Sequence, residues 1–290
     1  MTSGHRTQRR AAPAQVALLL AAGLLAALAP RAARAQCDVV FADGFESGDL
    51  SGWQVWRPPP CTRWQWQLTG TIDTTVDVAM YDIDLFDAPQ ATIDALHAAG
   101  RRVVCYLSAG TWESWRPDAG DYPPGVLGNP LDPPFSDERW LDIRQLGVLG
   151  PILAARMNLA VTKGCDGIEP DNVDGYANDT GFPLTAGDQL VFDRWLAASA
   201  HQRGLSVGLK NDLDQIPQLV AVFDWALDEQ CWEYSECAAL EPFVARGRAV
   251  FGVEYVGDPA VFCPPLDALG YSWLQKHLQL DAWRIDCRAP

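Results

Sequence analysis

The stretch Cys165-Asp-Gly-Ile-Glu-Pro-Asp-Asn-Val-Asp174 decides how the chain is read. Its centre, Gly167–Asp171, is a short strand-like run that ends in acids. A helix-like run, Val148–Thr162, precedes it and stops before Gly164, and another, Ala186–Gln202, follows and stops before Gly204. The same unit of strand, loop and helix recurs in both directions. Strands are expected at Trp64–Leu68, Val78–Phe86, Arg102–Ser108, Gly167–Asp171, Ser206–Asn211, Trp225–Glu229, Val250–Val256 and Tyr271–Lys276. Further helices are expected at Ala88–Ala99, Ile216–Phe223, Cys237–Arg246 and Leu266–Leu269. Eight strands alternating with helices predict an α/β fold, a closed parallel (β/α)8 TIM barrel. Two connections depart from the pattern. Thr69–Asp77 is too short for a good helix, and the Pro- and Gly-rich stretch 110–140 reads as a long loop over an active site.

Outside the barrel, residues 1–35 have the layout of a secretory signal peptide: Arg6, Arg9 and Arg10, an apolar run from Val16 to Ala29, and a small-x-small site at Ala33-Arg-Ala35. The apolar run is shorter than the ~20 residues a membrane span needs. Residues 36–60 read as a linker or short appendage, and 61–290 as the barrel. The whole chain of 290 residues carries 22 Lys+Arg and 37 Asp+Glu, a formal charge of −15. Removing five signal-peptide arginines leaves 17 bases against 37 acids, or −20. Such a balance excludes a basic nucleic-acid face. Export places the eight cysteines in an oxidising compartment. Cys231 with Cys237, Cys263 with Cys287 and Cys37 with Cys61 are plausible bridges, whereas Cys105 and Cys165 are bridge partners or buried thiols.

In a parallel barrel alternate strand residues point inward, and chemistry sits at the C-terminal strand ends. Acids cluster there: Asp82 and Asp84 with one parity, Glu169 and Asp171 with one parity, then Asp212, Glu229 and Glu254. Acids within apolar strands are costly to bury unless paired or functional. Many carboxylates with aromatics and only four histidines fit glycoside hydrolysis. That reaction needs one carboxylic acid to protonate the leaving oxygen and a second carboxylate as nucleophile or base. Trp64, Trp66, Trp112, Trp115, Tyr106 and Tyr255 are candidates to stack on sugar faces, while Trp195 and Trp225 read as core.

At these positions a resemblance becomes specific. Trp64-Gln-Trp-Gln-Leu-Thr-Gly70, Tyr81-Asp-Ile-Asp-Leu-Phe-Asp87, Val104-Cys-Tyr-Leu-Ser-Ala-Gly110, Trp140-Leu-Asp-Ile-Arg144, Gly167-Ile-Glu-Pro-Asp-Asn-Val-Asp-Gly-Tyr176, Gly208-Leu-Lys-Asn-Asp212 and Glu229-Gln-Cys231 resemble the barrel of glycoside hydrolase family 114. The resemblance runs from about Cys61 to the C-terminus. It implies an endo-α-1,4-polygalactosaminidase with a retaining, two-carboxylate mechanism. By motif position Asp171 is the expected nucleophile and Glu229 the expected acid/base. Asp82, Asp84, Tyr106, Trp112, Glu169, Asn172, Lys210, Asn211, Asp212 and Tyr255 are then candidates to bind substrate or orient the pair. Lys210 either tunes a neighbouring acid or closes an interior salt bridge.

The expected partner is a cationic amino-sugar polysaccharide, met outside the cytoplasm by a monomer that is free of the membrane after signal cleavage. Neither a cofactor nor a metal is expected: no HxH or HExxH spacing and no calcium loop occurs. His97 and His201 read as surface residues, with His277 near the last strand. Two rivals remain at this point, a non-catalytic carbohydrate-binding barrel and a polysaccharide deacetylase.

Overall fold

The computed structural model describes residues 55–288. The signal segment, residues 36–54 of the appendage and the suggested Cys37–Cys61 bridge lie outside them. The eight barrel strands are β1 Trp64–Gln67, β2 Met80–Asp84, β3 Arg102–Ser108, β4 Gly167–Asp171, β5 Ser206–Lys210, β6 Trp225–Glu229, β7 Val250–Glu254 and β8 Ser272–Gln275. They pair in parallel in chain order, with Ser108 opposite Asp171 and Tyr106 opposite Glu169. The helices are α1 Gln90–Ala98, α2 Leu146–Lys163, α3 Ala186–His201, α4 Ile216–Leu219, α5 Cys231–Tyr234, α6 Glu241–Val244 and α7 Pro259–Ala268. As expected, no helix joins β1 to β2. The seam between β8 and β1 is zipped by the C-terminal tail. There Leu68 and Thr69 N–H donate to Leu280 O, Arg284 donates to Trp64 O, and Ile285–Asp286 pairs antiparallel with β8.

Strand parity divides the core in two, because successive side chains of a strand point to opposite faces. Tyr81, Ile83, Val103, Cys105, Leu107, Ile168 and Val207 pack outward under the helices. Trp64, Trp66, Met80, Val104, Trp225, Leu227, Phe251, Val253 and Leu274 fill the interior. Glycine makes room for that filling: a Cβ on Gly208 would lie 2.4 Å from the Trp225 ring. Trp64 belongs to this interior, donating to Ser272 O at 2.9 Å, so the expectation that it stacks on sugar is wrong.

Two sequence expectations change. Stretch 110–140 is not a plain loop: Thr111–Glu113, Glu138–Leu141 and Leu127–Pro130 form a three-stranded antiparallel sheet with the second in the middle. Antiparallel pairing of such short segments leaves little periodicity to read. Helix α7 begins seven residues before its expected start. Asp258 caps it at Ala260 N and Pro259 sits in its first turn, while Pro264 and Pro265 lie inside it. Disulfides join Cys105 to Cys165, Cys231 to Cys237 and Cys263 to Cys287. The first of these settles the open choice at Cys105 and Cys165, clamping β3 to the segment that enters β4. The described end of the appendage docks on the barrel: Arg57 pairs with buried Asp224 at 2.6 Å, and Trp56 packs on the interior cluster. Asp224 also pairs with His201, as Asp166 does with His97.

Arg116 ties the insert to the barrel. It holds both oxygens of Asp84 at 2.9 and 2.6 Å and Glu113 at 2.7 Å, and all three side chains are buried. Removing one partner from a buried ionic cluster leaves the others uncompensated, at about 3–5 kcal/mol. Arg116→Ala is therefore expected to lower unfolding stability by about 3–5 kcal/mol in a denaturant titration. A loss under about 1 kcal/mol, the range of a surface ion pair, would show that the insert is held otherwise.

Candidate functional site

The inward parity brings Glu169 and Asp171 of β4, Lys210 of β5 and Glu229 of β6 to the C-terminal end of the barrel. Lys210 Nζ lies 3.0 Å from Glu169 Oε1, 3.0 Å from Asp171 Oδ1 and 3.2 Å from Glu229 Oε2. It is 1% exposed and also sits 4.8 Å from the centre of the Trp66 ring. Because Asp171 and Glu229 meet on one nitrogen, their nearest oxygens are at most about 6.2 Å apart, the sum of the 3.0 and 3.2 Å contacts. Of the two readings left open for Lys210, its contacts give the interior salt bridge. Burial opposes its charge, but Asp171, Glu169 and Glu229 push its pKa well above the ordinary value.

Each carboxylate has further donors. Asp171 Oδ2 accepts from the Tyr106 hydroxyl at 3.0 Å, and Oδ1 accepts from Asn172 N–H at 2.8 Å. Glu229 accepts from the Tyr255 hydroxyl and from Asn211 Nδ2 at 3.3 Å, and its own N–H donates to Asn211 Oδ1 at 3.0 Å. Burial first, then the adjacent acids, hold the Tyr106 and Tyr255 phenols well above their usual pKa, so both remain donors. Asn172 and Asn211 have φ of 60° and 49°, the left-handed region that Asn tolerates better than most residues. Gly110 is needed here, since a Cβ on it would lie 1.6 Å from Asn172 O.

Beneath the exposed layer burial raises the acids' pKa values. Glu169, wholly buried, accepts from Trp66 Nε1 at 3.0 Å, and burial raises its pKa to about 7 despite Lys210. Asp82 has no donor on either oxygen. Burial first, then the neighbouring Glu169, push it well up.

Three candidates lie outside this group. Asp84 is held by Arg116 and by the N–H groups of Phe86 and Asp87. Trp112 donates to Ala119 O within the insert. Asp212 points away into a second buried group with Asp193 and Tyr176. Glu254, also at a strand end, has outward parity and accepts from Trp232 N–H and Trp273 Nε1. His277 is on the surface, stacked on Trp283 and paired with Asp281.

Sequence reasoning missed a chain behind Asp171. Asn172 Nδ2 donates to Ser108 Oγ at 3.0 Å and Thr111 Oγ1 at 3.2 Å, and Thr111 donates to Glu138 at 2.7 Å. Burial raises Glu138 to about 7. Only the insert's pairing brings Glu138 here, and no strand signal announced it. Among the described residues no three His, Cys, Asp or Glu side chains converge as metal ligands.

The architecture and the carboxylate pair can be set beside known proteins. The profile of glycoside-hydrolase family GH114 matches residues 46–290. The crystal structure of Aspergillus fumigatus Ega3 in complex with galactosamine superposes with a TM-score of 0.74 at 38% identity, covering 80% of this chain and 97% of that one. The glycoside hydrolase domain of PelA from Pseudomonas aeruginosa superposes with a TM-score of 0.61 at 14% identity, covering 79% of this chain and 98% of that one, a likeness of fold. No curated protein matches the chain in sequence.

The second buried group has a testable consequence for pH. Burial raises the pKa of Asp212 from 3.8 to about 8. The folded chain therefore binds a proton that the unfolded chain has lost. This contribution to stability is full below about pH 4 and is lost as pH rises through about 8. Asp212→Asn removes it, so the variant's melting temperature minus that of wild type is expected to increase between pH 4 and pH 8. A difference constant across that range would mean that Asp212 does not carry the proton.

Proposed function

The chain belongs to glycoside hydrolase family GH114, and from that premise we propose that it is an exported endo-glycosidase cutting α-1,4-linked, galactosamine-rich polysaccharide with Asp171 and Glu229 as its carboxylate pair. The observation that carries this reading is the meeting of the two carboxylates on Lys210, no more than about 6.2 Å apart, at the open end of the barrel. Carboxyl groups ~5–5.5 Å apart suit a retaining displacement, whereas an inverting one leaves ~6.5–9.5 Å for water.

In the proposed mechanism Asp171 attacks the anomeric carbon. Tyr106, Lys210 and Asn172 N–H fix its two oxygens, so one trajectory is favoured. Glu229 protonates the departing glycosidic oxygen and then, as the base, activates water to release the glycosyl-enzyme. Its side chain is 24% exposed, the more open of the two, which suits repeated proton exchange with water. Tyr255 and Asn211 orient it. Lys210 neutralises one charge among three acids, and the remaining negative charge favours a sugar that carries an ammonium group. The export reading rests on the sequence of residues 1–35. No helix among the described residues is long and apolar enough to cross a membrane.

Glu229→Gln is expected to lower kcat on a de-N-acetylated α-1,4-galactosamine polymer by about 10²–10⁴-fold, the usual worth of a general acid/base. Asp171→Asn is expected to fall at least as far. Reducing-end release is the assay, with circular dichroism confirming that both variants fold. Folded variants that cleave at the wild-type rate would refute the assignment. Wild-type protein that binds the polymer and releases no ends would instead favour a binding barrel.

A further inference from the structure

A cavity of about 510 Å³ lies apart from the carboxylate pair, between the three-stranded insert and the segment that follows β4. Its walls include Asn129, Asp132, Phe135 and Trp140 from the insert, and Asn178 and Asp179 from the other side. The two walls are firmly joined. Asn129 N–H donates to Thr180 O at 2.9 Å, and Asn129 Nδ2 donates to Asp179 Oδ1 at 3.1 Å. Gly128 approaches so closely that a Cβ would lie 2.0 Å from Thr180 O. The shape is therefore set by backbone contact.

The lining has a definite chemistry. It holds two carboxylates and neither Lys nor Arg, and among the described residues neither Asp132 nor Asp179 makes an ion pair. Phe135 stands 45% exposed at the rim, while Trp140 is buried in the wall. Its volume lies in the ~300–1,000 Å³ range of small-ligand sites, and four of its nine lining residues are Asn or Asp, which suits a sugar better than an apolar ligand. The exposed aromatics of the described chain, Trp115, Phe135, Trp232, Tyr234 and Trp283, all lie in segments that follow strand C-termini, the end that bears Asp171 and Glu229.

We propose that this cavity is a distal subsite that holds one amino-sugar unit of the polymer, its ammonium between Asp132 and Asp179 and its ring against Phe135. The proposal rests on the galactosamine-polymer reading for its ligand, but it adds a site remote from the bond that is cut. Distal binding tightens long chains and leaves the shortest cleavable oligomers unaffected.

The test compares wild type with Phe135→Ala and with the double variant Asp132→Asn/Asp179→Asn, all at exposed positions. On de-N-acetylated polymer both variants are expected to raise KM about five-fold or more, with the change in KM and not in kcat. On fully N-acetylated polymer, which lacks the ammonium, only Phe135→Ala is expected to raise KM. Wild-type KM in both variants on de-N-acetylated polymer overturns the subsite and leaves the glycosidase reading standing. Should wild type cleave nothing, NMR titration with a galactosamine oligomer decides the matter. Side-chain amide shifts of Asn129 and Asn178 in wild type that vanish in the double variant support the subsite without the activity, and their absence in wild type overturns it.

Discussion

One buried ammonium organises the open end of this barrel. Lys210 is almost fully enclosed, and an isolated charge there would be driven to neutrality. It stays charged because Glu169, Asp171 and Glu229 surround it, and they stay close together because it lies between them. The arrangement depends on strand parity. Lys210 faces inward on β5 only while Gly208, two residues earlier, leaves room for Trp225, and Glu169 and Asp171 share the inward face of β4. A slip of one residue in either strand would turn these groups outward under the helices. The Cys105–Cys165 bridge and the ladder between Ser108 and Asp171 hold β4 against such a slip.

The same geometry grades the acids by depth. Asp82, at the bottom, is pushed well above the ordinary carboxylate range; Glu169, above it, has a pKa of about 7; Asp171 and Glu229 reach solvent. Burial raises the two deep acids, and at Asp82 the neighbouring Glu169 reinforces it. Two phenols kept protonated by the same surroundings serve as donors to the two outer carboxylates. Part of the surplus of acids in the composition is thus a structural feature of the barrel end, and a further part is buried elsewhere, as at Asp193 and Asp212.

Much of this was legible in the sequence, for physical reasons. Strands β3, β4 and β6 stand at their expected bounds because short, mostly apolar runs between helix stops and turn residues have few other readings. Asp171, Glu169, Lys210, Glu229 and Asp82 converge because shared parity at strand ends is a geometric statement. Partners supplied by tertiary structure were less legible. Asp84 has the same parity as Asp82, yet Arg116 reaches it from the insert. Trp112 and Asp212 are drawn into neighbouring structure in the same way. Trp64 looks like a sugar platform by position and is core by packing. The insert itself, with Glu138 and the cavity beside it, reads from the sequence as a long loop over an active site, because its short antiparallel strands leave no period.

The central claim is that Lys210 sets Asp171 and Glu229 at the separation of a double displacement. The stereochemistry of the first product tests it most directly. Proton NMR of an α-1,4-galactosamine oligomer digested by the purified protein should show the α-anomer of the new reducing end first, with β-anomer appearing only at the rate of mutarotation. Initial release of the β-anomer would require a water between the two carboxyls and would contradict the account.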